Sequence, residues 1–507
     1  MLLSSRSEQD QEPEMGNAMD GKAPRRQEFS VLGGNGSKAS RVIAAAVASV
    51  SLLAAMTARA ENLQQAWDIA LGVNQQLQSQ QTQASAEALN LEAAKAARHP
   101  SVRTQNVNVA LTNSPQIKTN LPAGVLGGGA TSGGAGAATG GTSFLFPAIG
   151  RNQNDLPISY TAASLPLYTG GRLLRNIDAA GHQFNAQRTE VARTALDLKL
   201  TVAEAYIGVL RAQRNLSVAR SNVDRLSSFA RDVSNRRKEG LAIRSDELAA
   251  EVSLANARLG EIRSRTSLES ARSTYNRYLA RPYTMEVPLE ELSSFPPQAD
   301  WKELAAQAIR ANAALGEMSR PEIEELVSRS FATRPELAGL TEQAMALGAQ
   351  ADSTLSAIRP QVNISGGFAY IGAQNFVPQG NGVAMVSVDW MLTDGGVSRR
   401  RAASLRQQEQ STLQRRADAA ANIALDVRTR WLDLLQSRQS VPVTRAAIGQ
   451  AEENVKVILD RYRQQLSTYT EVLDAENRRV EAYNNFYNAV YDENLATYRL
   501  RRAVGDL

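Results

Sequence analysis

The chain repeats itself, and this duplication limits the folds open to it more than any other feature. An offset of 225 sets Leu167, Gly170 and Gly171 on Leu392, Gly395 and Gly396. It also pairs Leu200 with Leu425, Leu210 with Leu435 and Leu241 with Leu466, and it sets Leu248, Ala250 and Glu251 on Leu473, Ala475 and Glu476. Upstream, an offset of 260 brings Leu77, Gln83, Ala84 and Ala86 onto Leu337, Gln343, Ala344 and Ala346. Ala97, Pro100 and Val102 fall on Ala357, Pro360 and Val362 by the same offset. Two constant offsets in compatible order mark a tandem repeat. Their difference gives the first half about 35 extra residues between Pro100 and Gly170, where low-complexity Gly124–Gly141 reads as a mobile loop.

Each half carries the same order of elements. A helix from about Leu63 to Arg98, or from Glu322 to Ile358, stops before a proline. Two strands follow. After Gly-Gly comes a helix from Arg172 to about Lys238, or from Val397 to about Gln464, then a break and a returning helix. Leu216, Ala219, Val223, Leu226, Ala230 and Val233 recur at spacings of three and four, a narrow coiled-coil seam. At about 1.5 Å per residue such a helix spans roughly 100 Å, too long for a compact domain. Pro442 should bend the second one locally. The organisation expected is a leader over 1–60, a first repeat over 61–280, a Pro-rich connector over 281–320 and a second repeat over 321–507. The connector should hold one short helix near Trp301 to Asn312.

Composition removes most chemistry. The 507 residues include no cysteine and two histidines, His99 and His182, so thiol, disulfide and histidine-metal sites have little material. Fifty-six basic against 51 acidic residues leave a net charge of +5, which is no nucleic-acid signal. No Gly-x-x-x-x-Gly-Lys-Ser/Thr loop occurs, and neither a catalytic centre nor a cofactor or metal site is expected. The pairs Asp246/Glu247 and Glu452/Glu453 read as solvated helix faces, His99 as a helix-end residue, and Tyr483, Tyr487 and Tyr491 as a stripe packing on a neighbouring helix. Lys38 and Arg41 precede an apolar run from Val42 to Met56, with small residues around Ala58-Arg59-Ala60. That order is a secretory signal, an anchor helix being the alternative.

Four segments alternate. Val107, Val109 and Leu111 oppose Asn106, Asn108 and Ala110; Ile158, Tyr160 and Ala162 oppose Ser159, Thr161 and Ala163. In the second half Val362, Ile364, Phe368 and Tyr370 share parity, as do Ala384, Val386, Val388 and Trp390. Such strands suit a lipid–water boundary or one face of a soluble sheet. In lipid, four strands cannot close a barrel, and unpaired backbone groups are not tolerated, so several copies would have to share it.

Signal, tandem halves, element order and the Pro-Leu-Tyr-Thr-Gly-Gly and Trp-Met-Leu-Thr-Asp-Gly-Gly turns together resemble the TolC family of outer-membrane efflux and secretion channels. The resemblance implies a mainly α fold with a minor β part: a homotrimer with a long α-helical barrel crossing the periplasm and a 12-stranded β-barrel in outer-membrane lipid. It implies a periplasmic adaptor (membrane fusion) protein and an inner-membrane RND or ABC transporter as partners, with the channel in a tripartite pump or type I secretion system. The family's acidic pore rings fall on Glu471 and Asp474, and its tip-closing contact on Asp246 and Tyr462. A family arginine falls on Ser467, leaving Arg461, Arg463 or Arg244 as basic substitutes. The competing reading is a non-conducting periplasmic coiled-coil scaffold.

Overall fold

The computed structural model describes residues 60–110, 155–292, 320–372 and 378–507. The leader, the Gly124–Gly141 loop and the connector helix lie outside them. The first half holds α1 (Leu63–Val73), α2 (Gln75–Ala96), β1 (Ser101–Ala110), β2 (Asp155–Tyr168), α3 (Arg172–Lys238) and α4 (Arg244–Tyr278). The second holds α5 (Arg320–Thr333), α6 (Pro335–Leu355), β3 (Gln361–Ile371), β4 (Gly380–Asp389), α7 (Val397–Arg463) and α8 (Tyr469–Val504). Helices α3 and α7 are both 67 residues long and begin and end 225 positions apart. The repeat is therefore structural, and α7 runs on as helix through Pro442.

One expectation fails at the first helix of each half, which is two helices and not one. Asn74 breaks the first in extended conformation, and its Oδ1 accepts from the N–H groups of Gln76 and Leu77 at 3.0 and 3.1 Å, capping α2. Arg334, 260 positions on, breaks the second because Pro335 follows it; proline disfavours helical backbone in its predecessor and suits a first helical turn.

The four strands form one antiparallel sheet in the order β1-β2-β3-β4, so β2 and β3 join the halves and β1 and β4 are edges. Ser101 pairs with Ser164 and Gln361 with Asp389; these pairs are images of one another under the two offsets. The register corrects the face assignment. Opposed residues share a face, and Phe368 and Tyr370 stand opposite Thr161 and Ser159, not Tyr160 or Ile158. The Val107, Ile158 and Tyr160 parity thus lies on the face that carries Arg103 and Asp389, while Val362, Ile364, Phe368, Val386 and Val388 share the other. Polar alternation in β1 and β2 thus runs opposite to that in β3 and β4, with Asn106, Asn108, Ser159 and Thr161 on the Phe368 face. On the Phe368 side their polar groups satisfy one another, Thr104 with Thr161 at 3.0 Å and Ser159 donating to Asn106 at 2.6 Å.

Packing follows the helices. The largest apolar cluster gathers Trp67, Val202, Tyr206, Ile207, Leu210 and Tyr491 midway along α3 and α8. There Glu61, 7% exposed, accepts from Arg281 at 2.7 and 3.1 Å and from the Tyr275 hydroxyl at 3.1 Å. Tyr206 reaches the Glu61 and Glu290 carbonyls, at 2.8 and 2.6 Å. Burial raises the Tyr206 and Tyr275 hydroxyl pKa values well above the ordinary phenol range. A smaller cluster of Leu337, Ile423, Val427, Ala503 and Val504 ties α6 to α7 and the C-terminal end. We predict that Asn74→Ala, by removing the cap of α2, lowers stability by about 1 kcal/mol, read as a drop in the thermal midpoint of the detergent-purified protein.

Candidate functional site: the hairpin tips

Both long helices turn back through the same backbone. In the first hairpin the Leu241 N–H donates to the Arg236 carbonyl at 2.8 Å and the Gly240 N–H to Arg237 at 3.0 Å. In the second, Leu466 donates to Arg461 at 2.8 Å and Gln465 to Tyr462 at 3.0 Å. These are Schellman ends, which need a left-handed residue. Gly240 supplies it at φ 78°, whereas Gln465 adopts φ 62° with a side chain that makes this conformation costly.

The chemistry differs between the hairpins. In the first, Glu247 is 6% exposed and accepts from Ser234 at 3.0 Å, from Arg237 at 2.5 Å and from Arg244. Burial acts against its charge, but hydrogen bonds from Arg244, Ser234 and Arg237 outweigh it and hold the carboxyl below the ordinary range. Glu247 is therefore not the solvated residue its sequence context suggested. Its donors, Arg237 near the end of α3 and Arg244 at the start of α4, are the only signal that could have shown it. The image of Glu247 in the second hairpin is Val472, 1% exposed, in a cluster with Val233, Ala250, Tyr462 and Tyr469. Phe229 stacks on Tyr469 at 5.5 Å between centroids and tilts against Tyr462 at 5.6 Å, and Arg236 lies 5.5 Å from the Tyr462 ring centre. The ionic tie lies within the first hairpin, whereas the ring cluster joins the two, with Phe229, Val233 and Ala250 supplied by α3 and α4.

The four residues singled out from the sequence all lie at these tips. Tyr462 is buried, and burial, with help from the charge of nearby Asp246, raises its pKa. No hydrogen bond joins the two residues; the phenol ring is committed to Phe229 and Arg236. Of the possible basic substitutes, Arg244 binds Glu247 and Arg463 binds Asp460 at 3.3 Å. Glu471 is exposed in the first turn of α8, where it accepts from Ser467 at 2.7 Å and Thr468 at 3.1 Å. The Ser467 and then the Thr468 hydrogen bonds lower its pKa, with Arg461 contributing through space. Asp474, one turn on, is exposed.

Other candidates resolve into packing. Tyr491 is fully buried and donates to Glu291 at 3.0 Å. Tyr483 donates to Glu452, and burial together with that carboxylate pushes its pKa up to about 12. Glu452 is thus engaged, not merely solvated. His99 is exposed just beyond α2, and His182 Nδ1 meets Glu342 at 2.7 Å. Among the described residues no cluster could hold a metal, and no helix is long and apolar enough to cross a membrane.

A chain with two long helical hairpins joined to a small antiparallel sheet has the architecture of outer-membrane channel proteins. The family model described as outer membrane efflux protein matches residues 150–280. The fold is similar to that of the outer membrane protein VceC from Vibrio cholerae, at 15% identity and TM-score 0.68, over 87% of this chain and 96% of that one. It is also similar to the Campylobacter jejuni CmeC outer membrane channel (12% identity, TM-score 0.67, 88% and 86% covered). The open state of the Neisseria gonorrhoeae MtrE outer membrane channel aligns at 15% identity and TM-score 0.63, with 87% and 88% covered. No curated protein sequence matches the chain. The resemblance to the TolC family thus holds in the family-model match and in the fold, and the mainly α fold with a minor β part expected from the sequence is borne out.

Two outcomes follow at the tips. Gln465→Gly should raise stability by about 1 kcal/mol by removing a left-handed side chain, seen as a higher unfolding midpoint. Because the folded-state pKa of Glu247 is lowered, its contribution is present above the unfolded carboxylate range and is lost as pH falls through the folded value. Protection factors across 234–247, with the intrinsic pH dependence of amide exchange divided out, should therefore fall on acidification in the native protein, and Glu247→Gln should flatten that dependence.

Proposed function

We propose that the chain is the outer-membrane exit duct of a tripartite efflux pump or type I secretion system, without enzymatic activity of its own. The observation that carries this reading is the sheet with two free edges, set beside helices of 67 residues, none of them a membrane span among the described residues. Backbone groups facing lipid must be paired, so β1 and β4 need partners from other copies. Three copies, the number the resemblance implies, close a 12-stranded barrel. The Phe368, Val386 and Val388 face meets lipid, and the face with Arg103 and Asp389 meets water. The leader over 1–60 serves export, the two repeats and the connector belong to the duct, and the helices extend through the periplasm toward an adaptor protein and an inner-membrane RND or ABC transporter.

At the tip, Glu471 and Asp474 ring the constriction, drawing cations and impeding anions. The lowered pKa of Glu471 keeps that ring charged below the ordinary glutamate range. Opening is a shift between two helix arrangements, biased by the adaptor; Asp246 and Tyr462 form the closing pair through the nearby charge of Asp246 and not through a hydrogen bond, and Glu247 fixes the first hairpin. Planar-bilayer recording tests the reading. The purified protein should give discrete single-channel steps with a cation preference, and Glu471→Ala with Asp474→Ala should cut the cation-to-anion permeability ratio several-fold at low salt. A water-soluble monomer without conductance would end the duct reading; steps with unchanged selectivity would end only the ring assignment.

A further inference from the structure

Ser101 pairs with Ser164, Pro166 with Asn363 and Gln361 with Asp389, so all four joins between strand and helix lie at one end of the sheet. Bare apolar residues crowd that end: Tyr168 and Trp390 are 53% and 60% exposed, and Leu392 is 77% exposed. Phe368 and Tyr370 are exposed toward the other end. Between the two, from Gln361 to Val388, the chain holds no charged residue. At about 3.3 Å per residue and a tilt of about 40°, the strand from Gln361 to Tyr370 gains roughly 23 Å in height, close to the apolar band of a membrane barrel.

Past the Trp390 end charge returns, and it is mostly basic. Arg98, Arg172, Arg359 and the run Arg399-Arg400-Arg401 put arginine at every join. Arg359 is spent on the Gly170 carbonyl at 3.0 Å. The triplet is not spent: all three are exposed, and their side chains have no partner among the described residues. Asp394, the nearest carboxylate in sequence, is committed to the N–H groups of Gly396 and Ser398 at 2.9 and 2.6 Å. Cations at the start of a helix oppose its dipole, so the triplet does not serve α7 itself. Ser398 and Ala402 are buried, and Arg406 on the same side pairs with Asp352 of α6 at 2.6 Å. At about 100° per residue, Arg399 and Arg401 leave on opposite flanks of that side with Arg400 between them, so the run reaches the outer surface whichever flank faces out. The positions 225 earlier, 174–176 on α3, stay exposed although α2 and α6 both contact that helix.

We infer that Arg399, Arg400 and Arg401 form a clamp for the headgroups of anionic phospholipid at the periplasmic face of the bilayer. The first five residues of α7 rise about 6 Å, the depth of one headgroup layer, and the long arginine stem extends that reach. A guanidinium fork takes two oxygens of a phosphodiester at once. In a zwitterionic lipid the headgroup ammonium competes for that phosphate, whereas phosphatidylglycerol has no ammonium, so the clamp prefers the anionic lipid. The Trp390–Leu392 belt beside it fits acyl chains, which makes the ligand a lipid and not free phosphate. The clamp rests on the sheet lying in lipid, as in the duct reading, and adds the class of lipid it holds.

The test exchanges the detergent-purified full chain into micelles carrying equal amounts of phosphatidylglycerol and phosphatidylcholine, and counts the lipids it retains by native mass spectrometry. Phosphatidylglycerol should be retained in preference. One basic side chain at an anionic surface contributes about fivefold, so the combined Arg399→Gln, Arg400→Gln and Arg401→Gln variant should lower that preference by at least that factor. Its thermal midpoint in phosphatidylcholine alone should hold or rise, because the helix dipole no longer meets cations. Arg258→Gln with Arg263→Gln, two exposed arginines on α4, should leave the preference unchanged. The clamp is overturned by no preference in the parent, by a preference that survives the triple variant, by an equal loss in the α4 control, or by a triple variant that loses its fold in phosphatidylcholine. A preference that follows the triplet in a protein without conductance ends the duct reading and leaves the clamp; conductance without the preference does the reverse.

Discussion

An unpaired strand edge is tolerable in water, where solvent completes the hydrogen bonds, and prohibitive in lipid, where nothing does. Much of this chain follows from that difference. Its sheet has four strands and two edges, and the edges are the image of the one junction between the halves, β2 against β3. The long helices carry bare apolar residues too, such as Leu425 and Val443, which assembly of copies under the proposed function would cover.

Duplication preserved backbone geometry while side-chain chemistry diverged. The two hairpins end at positions 225 apart with the same hydrogen bonds, yet Glu247, Arg237 and Gly240 stand where Val472, Tyr462 and Gln465 stand in the other. An ionic tie responds to protons and salt; a ring cluster responds to neither to the same degree. The left-handed residue diverged too, with glycine in one hairpin and strained glutamine in the other. Under the proposed function the hairpins are unequal parts of one gate, joined by a shared buried cluster, with an added ionic tie in the first alone.

Much of this could be read from the sequence because long helices announce themselves at spacings of three and four, and a constant offset carries one reading into the other half. The ends of α3 and α7 fall where glycines and the apolar seam placed them. Local conformation was harder. The breaks at Asn74 and Arg334 interrupt patterns that continue on either side, and only the cap chemistry and Pro335 reveal them. The face of β2 was illegible for a different reason: Ser159 and Thr161 satisfy their polar groups against Asn106 and Thr104 on the Phe368 side, so alternation alone does not give the face and pairing with β3 decides it. Glu247 escaped notice because a carboxylate beside Asp246 resembles a solvated pair, and two of its three donors, Ser234 and Arg237, come from another helix.

The distribution of cohesion along the helices makes the proposed gating physically reasonable. The middle of the molecule holds the large apolar cluster around Tyr206 and Tyr491 together with the buried Glu61–Arg281 pair. The tip holds a second, smaller cluster around Tyr462 and Val472. Between them α3, α4 and α8 enclose a groove of about 510 Å³ lined by amides, among them Asn215, Asn222, Asn256, Asn477 and Asn484. Amides bind water nearly as well as one another, so sliding helices across such a groove costs far less than separating packed rings. The tip can then move as a small unit on a polar stretch while the middle and the sheet stay fixed, which is what a duct opened from one end requires.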